Sequence, residues 1–370
     1  MNRTKISILE AICLICIASL SNLLLSGPKR IIKNSGSASI LNVLYISLLA
    51  FAIVYIVYLL FKKFTNSDIL DVCGFLAGNW LKISIGILTV IFLISYASMN
   101  YRDIAENLKI IYFQNIDISY LLLLLILPIA IVNLLDFKTV VKCCLIIVPL
   151  ILFSIFLVFI LNTSNFTYQR MFPIFGNGIK STFADGSQNI IIFIGLAYLF
   201  FLMPLLRKKE DYKKIAFSSI GISSFAILLA TSCLLFTLPI STASEESMPI
   251  YLATKQISLG NYVERADILF LIIWILTIFS NLSISIAFVL EIIKKITNIQ
   301  DNKPLVLPLC SILYGIGLCY KNISQLNLAK DSIFKNGFLI LVLGLNIIIL
   351  ILANIKLKFQ EKNKSLEGGA

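Results

Sequence analysis

The 370-residue chain is 59% hydrophobic and only 14% charged, whereas soluble domains have about 45–50% apolar and about 25% charged residues. This composition predicts an all-α polytopic membrane protein, and the absence of His excludes histidine catalysis and His-bearing metal sites. The net charge of +12 comes from Lys and Arg at the ends of apolar runs. This placement of the basic residues favours contact with the anionic surface of a lipid bilayer over binding of nucleic acid.

Apolar runs long enough to cross a bilayer recur along the chain and predict about ten transmembrane helices. We expect one transmembrane domain over residues 1–358 and a polar cytoplasmic tail over residues 359–370. The predicted spans are Ile6–Leu25, Ser39–Phe61, Trp80–Tyr101, Ile118–Leu135, Thr139–Leu161, Gly186–Lys209, Ile215–Pro239, Asp267–Ile293, Leu305–Cys319 and Phe334–Ile355. Between the second and third spans, Asp68–Asn79 reads as a polar connector.

Small and polar residues interrupt the first span. Ala18–Asn22 reads Ala-Ser-Leu-Ser-Asn, and the helix-breaking pair Gly27-Pro28 follows. We predict non-helical backbone near Ala18–Asn22, with a short second half of the helix beyond it.

The sixth span carries the second predicted break, near Phe193–Ala197. Gly195 interrupts its middle and Pro204 weakens its far end. A lone glycine in a membrane helix can also serve close packing, so both interpretations stay open here.

Breaks in spans one and six are typical of two inverted five-helix repeats, here about residues 6–161 and about 186–355. In that architecture the two breaks meet near the bilayer midplane. The half-helix N-termini there attract a carboxylate, and the freed carbonyls take an amine or a cation. Spans three and eight complete such a site.

Polar and aromatic residues on these four spans are the candidate ligand-binding residues. Those on span eight could equally form interhelical hydrogen bonds. The predicted set is Ser19, Leu20, Ser21, Asn22, Tyr96, Phe193, Ile194, Gly195, Ala197, Trp274, Ser280 and Asn281.

The predicted pocket is largely apolar, and we expect no deeply placed Arg or Lys in it. A small zwitterion therefore fits best, and a sugar or nucleoside ranks second. No catalytic residue, cofactor or metal site is predicted, because no span holds a paired acid and base or a metal cluster. The eight cysteines lie mostly in apolar runs and are expected to be buried hydrophobes.

The distribution of Lys and Arg predicts the orientation. With both termini in the cytoplasm, the larger share of the 31 basic residues lies inside. Arg207–Lys214 is then cytoplasmic, and Ser241–Glu264, which carries Glu245 and Glu246, lies outside.

Several motifs resemble endospore germination permeases, the B subunits of spore germinant receptors in the amino acid–polyamine–organocation superfamily. Glu264-Arg265-x-Asp267 with Trp274 resembles the opening of their eighth helix. Pro173-x-x-Gly176-x-Gly178 and Phe193-x-Gly195 resemble the entry and middle of their sixth, although many members carry an acid at the position of Ala197.

The resemblance implies a LeuT-type fold with broken helices 1 and 6, and a complex with A and C subunits in the inner spore membrane. It implies sensing of a small nutrient, for which the pocket favours an amino acid, and triggering of germination. The alternative is an ion-coupled amino-acid transporter in its own right. A membrane enzyme or a purely structural scaffold is less well supported.

Glu264 and Arg265 could connect the outer loop to the start of span eight, or form a surface ion pair of at most about 1 kcal/mol.

Overall fold

The computed structural model describes residues 5–246, 248–257, 266–331 and 335–367, and these form a helical bundle. Its α-helices of six or more residues are α1 Ile8–Leu24, α2 Gly27–Ser35, α3 Ser39–Phe61, α4 Ile69–Ile111, α5 Ile118–Leu135, α6 Phe137–Leu161, α7 Leu196–Leu202, α8 Asp211–Thr237, α9 Ile240–Glu245, α10 Pro249–Lys255, α11 Ala266–Thr297, α12 Val306–Cys319, α13 Ile323–Ala329 and α14 Asn346–Glu367.

In the described part of the chain, seven helical stretches are long and apolar enough to cross a membrane, and nine if two bent pairs each count as one span. The 17-residue α1 is a further, shorter apolar helix. Every predicted span overlaps a helical stretch in the described residues, so the chain is an all-α polytopic integral membrane protein. The prediction of two inverted repeats remains a prediction.

Helix α1 forms the centre of the bundle. It is apolar on all sides, which is the pattern of a fully buried helix, and it packs against α6, α8 and α11. The surrounding helices are apolar outside as well: Leu44, Leu48 and Tyr55 of α3 are exposed. A surface of this kind is suited to lipid.

The predicted connector Asp68–Asn79 is wrong in its secondary structure. Asp68 caps the first turn of α4 by accepting from the Asp71 N–H, and the helix begins at Ile69. A kink at Ala77 and Gly78 (φ +77°) then separates the first turns of α4 from its long apolar part. The polarity of the segment is therefore that of a helix entry at the membrane surface.

The last span departs from regular α-helix. Its first turns, Phe338–Leu345, form a π-helix, and the helix proper then runs through Asn346–Glu367. The residues predicted as a polar tail begin as a continuation of this helix.

Candidate functional site

The first span breaks later than predicted. The backbone is helical throughout Ala18–Asn22, so the break predicted there is wrong. The break lies at Leu25 (φ −81°, ψ −90°) and Ser26 (φ −126°, ψ 1°). The cause is Pro28, which has no N–H for the Leu24 carbonyl and would clash with it in a continuous helix. Serine fits inside an α-helix, so Ser19 and Ser21 do not interrupt α1.

The second predicted break is present as a bend at Ile194 and Gly195, but the non-helical backbone predicted there is wrong, because both residues keep helical dihedrals (φ −58°, ψ −22° and φ −54°, ψ −23°). The sixth span is 3-10 helix over Asp185–Phe193 and α-helix from Leu196, and the halves are bent by 49°. A Cβ on Gly195 would lie 2.3 Å from the Ile15 carbonyl oxygen of α1. Gly195 is therefore also a close-packing glycine, as the alternative interpretation held.

The two breaks do not face each other, so the prediction that they do is wrong. Gly195 packs on the middle of α1, whereas the α1 break faces the 3-10 part of the sixth span. A Cβ on Gly27 would lie 2.5 Å from Cδ1 of Ile192. The space between the spans therefore opens beside Ser26 and Gly27, at one end of the bundle.

This space is a narrow crevice and is the candidate site: its empty space is about 420 Å³ with open solvent included, of which about 20 Å³ admits the centre of a water molecule, so an amino acid enters only if the walls move apart. Spans one, three and six and the connection before span ten contribute its walls. The lining residues are Asn22, Ser26, Gly27, Arg30, Tyr96, Met99, Asn100, Asn189, Ile191, Ile192 and Lys330.

Tyr96 connects the cavity to a buried polar cluster. The Asn281 side-chain amide donates to the Tyr96 hydroxyl at 2.9 Å and to the Ser21 hydroxyl at 3.1 Å. All three side chains are at most 1% exposed. Spans one, three and eight are thus joined directly behind the cavity wall by interhelical hydrogen bonds, which is the alternative that the sequence left open for span eight.

The Asn100 side-chain amide makes no hydrogen bond of ordinary geometry in the described structure, although the Tyr96 hydroxyl lies close enough to interact with it. Its side chain is 3% exposed and lines the cavity. The buried Asn133 and Asn346 differ from Asn100, because each amide nitrogen donates a hydrogen bond within its own helix. In these two residues the side-chain oxygen is the atom without a hydrogen-bond partner. An unmet buried donor costs about 1–3 kcal/mol, so Asn100 favours a ligand with an acceptor.

Basic residues line the cavity, which corrects the expectation that none would. Lys330 is 5% exposed and pairs with Asp103, and Arg30 lies 3.5 Å from Asp331. Lys330 was missed because it follows α13, in a connection with no membrane-like pattern. The described cationic groups in the wall are therefore each balanced by one carboxylate.

A ladder of asparagine side chains leads away from the cavity. Asn34 donates to Asn189 at 3.1 Å, and Asn189 donates to Asn42 at 2.9 Å. Asn177 donates to the Asn34 carbonyl at 3.1 Å. The end of α2, the sixth span and the loop before it are held together in this way.

Of the twelve predicted residues, Asn22 and Tyr96 line the cavity, and Ser21 and Asn281 lie one hydrogen bond behind it. The other eight are buried but absent from the cavity wall: Ser19, Leu20, Phe193, Ile194, Gly195, Ala197, Trp274 and Ser280. Trp274 is fully buried in α11 and does not line this cavity. Glu264 and Arg265 lie outside the described residues.

Sequence missed the lining residues that follow the true break, among them Ser26, Gly27 and Arg30. The signal was present in Gly27-Pro28, which marks a helix interruption more strongly than two serines do. Asn100 was also visible as a polar residue toward the end of span three.

Comparison with known families gives one match. The sequence profile of a family described as spore germination protein matches residues 5–326. No curated protein matches the chain.

Proposed function

Because the chain belongs to the spore germination protein family, we propose that it is the nutrient-sensing B subunit of a spore germinant receptor. It acts with A and C subunits in the inner spore membrane, with both termini on the cytoplasmic side. Binding of a small amino acid in the cavity triggers germination. The observation that carries this proposal is the unmet Asn100 amide in a polar cavity beside a helix break.

The ligand carboxylate is expected at the start of α2. Ser26 gives this helix no side-chain cap, so backbone N–H groups and the positive end of the helix dipole face the cavity. Arg30 stands one turn further along the same helix. Asn100 would donate to the second carboxylate oxygen.

The remaining surface of the cavity suits the rest of an amino acid. The side-chain oxygen of Asn22 and the Tyr96 hydroxyl can accept from an ammonium group. Met99, Ile191 and Ile192 supply an apolar wall for the ligand side chain.

The charges in the wall favour a zwitterion over an anion. Arg30 is paired with Asp331 and Lys330 with Asp103. An anionic ligand would therefore place a negative charge in the cavity without a free cation among the described lining residues to neutralise it. A zwitterion adds no net charge.

Binding and transport by the purified chain in proteoliposomes test the proposal. We expect one or more amino acids to bind and raise the thermal midpoint, and Asn100→Leu to abolish that shift. The matched control is Asn133→Leu, which removes a buried asparagine of α5 that bonds only within its helix.

Uptake of the same amino acid by the chain alone would instead favour the ion-coupled transporter. No binding by any amino acid, together with tight binding of a sugar or nucleoside, would contradict the proposed ligand class.

A further inference from the structure

The connection between α6 and the sixth span exposes an unusual number of apolar side chains. Residues 168–179, here the apolar loop, lie outside the membrane-spanning helices, yet Tyr168, Phe172 and Ile179 are 62%, 68% and 62% exposed. Met171, Ile174 and Phe175 are exposed as well. Scattered apolar residues are normal on a surface, but six within twelve positions form a patch that a partner covers.

The apolar loop is held in place by its polar groups, which face the protein. Arg170 donates to the Phe236 carbonyl at 2.7 Å, and Ser37 donates to the Pro173 carbonyl at 2.5 Å. Asn177 donates to the backbone of α2, as described above. A Cβ on Gly176 would lie 1.9 Å from the Ser35 carbonyl oxygen. The outward direction of the apolar side chains is therefore fixed by the fold.

We propose that the apolar loop docks into the headgroup region of the surrounding bilayer and contacts anionic phospholipid. Its position is the first argument. The loop directly joins the end of one membrane span to the start of the next, which is the depth at which aromatic side chains anchor membrane proteins.

Continuity with the lipid-facing surface is the second argument. Phe159 near the end of α6, Phe166, Tyr168 and Phe236 at the end of α8 form one aromatic cluster, with ring centroids 5.3–6.1 Å apart. The ends of α6 and α8 are thus joined to the apolar loop by aromatic contacts, beside the exposed polar residues Thr163–Asn165.

Charge is the third argument. Between Asp136 and Asp185 the sequence contains no acidic residue. Arg170 lies inside the apolar loop and is turned toward the Phe236 carbonyl, so Lys180, directly after the loop, is its exposed basic residue. A surface that is apolar and basic matches anionic headgroups above acyl chains. A docking site for a protein more commonly has a polar rim around its apolar centre.

Fluorescence quenching of the full chain in anionic proteoliposomes tests this docking. Phe172→Trp places a reporter in the apolar loop, and Ser164→Trp, at an exposed polar position of the same connection, is the matched control. Both are made in a Trp80→Phe background, since Trp80 is exposed and Trp274 is fully buried. Ile174→Trp provides a second reporter should Phe172→Trp fail to fold.

We expect lipids brominated on the acyl chain to quench Phe172→Trp and aqueous iodide to leave it unquenched, with the opposite pattern for Ser164→Trp. Lys180→Gln, or replacement of the anionic lipid by a zwitterionic one, should reduce the bromine quenching. If iodide quenches Phe172→Trp as strongly as Ser164→Trp, and bromine quenches neither, the proposal is overturned and a protein partner is favoured.

Discussion

Adding a single methyl group at Gly195 should destabilise the bundle at its centre. In Gly195→Ala the new Cβ would lie 2.3 Å from the Ile15 carbonyl oxygen and 3.0 Å from Ile15 Cγ2. Ordinary Cβ contacts begin near 3.4 Å, so the sixth span and α1 must separate by about 1 Å. Both belong to the buried core, where such overpacking costs about 1–3 kcal/mol.

Gly315→Ala is the matched control. Gly315 is also inside an apolar helix, but nothing lies within 4 Å of the position of its added Cβ. There the substitution should be neutral or stabilising by up to about 1 kcal/mol, because alanine is the better helix former.

Thermal unfolding of the two variants in the same membrane mimetic measures the difference. Gly195→Ala should unfold at a lower temperature than the wild-type chain, and Gly315→Ala at the same or a higher temperature. Equal midpoints for the two alanine variants would refute the close contact between Gly195 and α1.

Lys330→Met should destabilise the chain by about 3–5 kcal/mol in the same assay, because it leaves the buried Asp103 without its cation; if Lys330→Met with Asp103→Asn recovers none of this loss, the ion pair is not its cause. Asn281→Leu should weaken amino-acid binding by about tenfold in calorimetry, since it removes two buried hydrogen bonds behind the cavity, and unchanged affinity would separate this cluster from the site. In a background without the native cysteines, a membrane-impermeant thiol reagent applied from outside should label Ser241→Cys and spare Lys208→Cys; the reverse pattern would invert the proposed orientation.

The predictable part of the fold was the part that hydropathy determines. Each apolar run had to be helical in lipid, because its backbone groups have no other partners there. The break at Gly195 was visible for the same reason, since glycine stands out in such a run. The break in α1 lies later than predicted. Ser19 and Ser21 fit inside an α-helix, whereas Pro28 cannot continue one.

The candidate site was less predictable, because it depends on distant segments. Tyr96, Ser21 and Asn281 could be grouped from polarity and span number. Lys330 could not, since it reaches the cavity from α13, which follows a 112° bend after α12. Trp274 does not line the cavity, because hydropathy does not tell which face of a buried helix borders one.

The most direct test of the central claim is protection of the cavity by its ligand. Ser26→Cys places a thiol in the cavity wall, in a chain whose accessible Cys143 and Cys319 are replaced by serine. An amino acid that stabilises the chain should slow alkylation of Ser26→Cys and leave that of Ser241→Cys, at an exposed position that does not line the cavity, unchanged. Stabilisation by the amino acid with equal alkylation rates for Ser26→Cys in its presence and absence would contradict the account, because the ligand would then bind elsewhere.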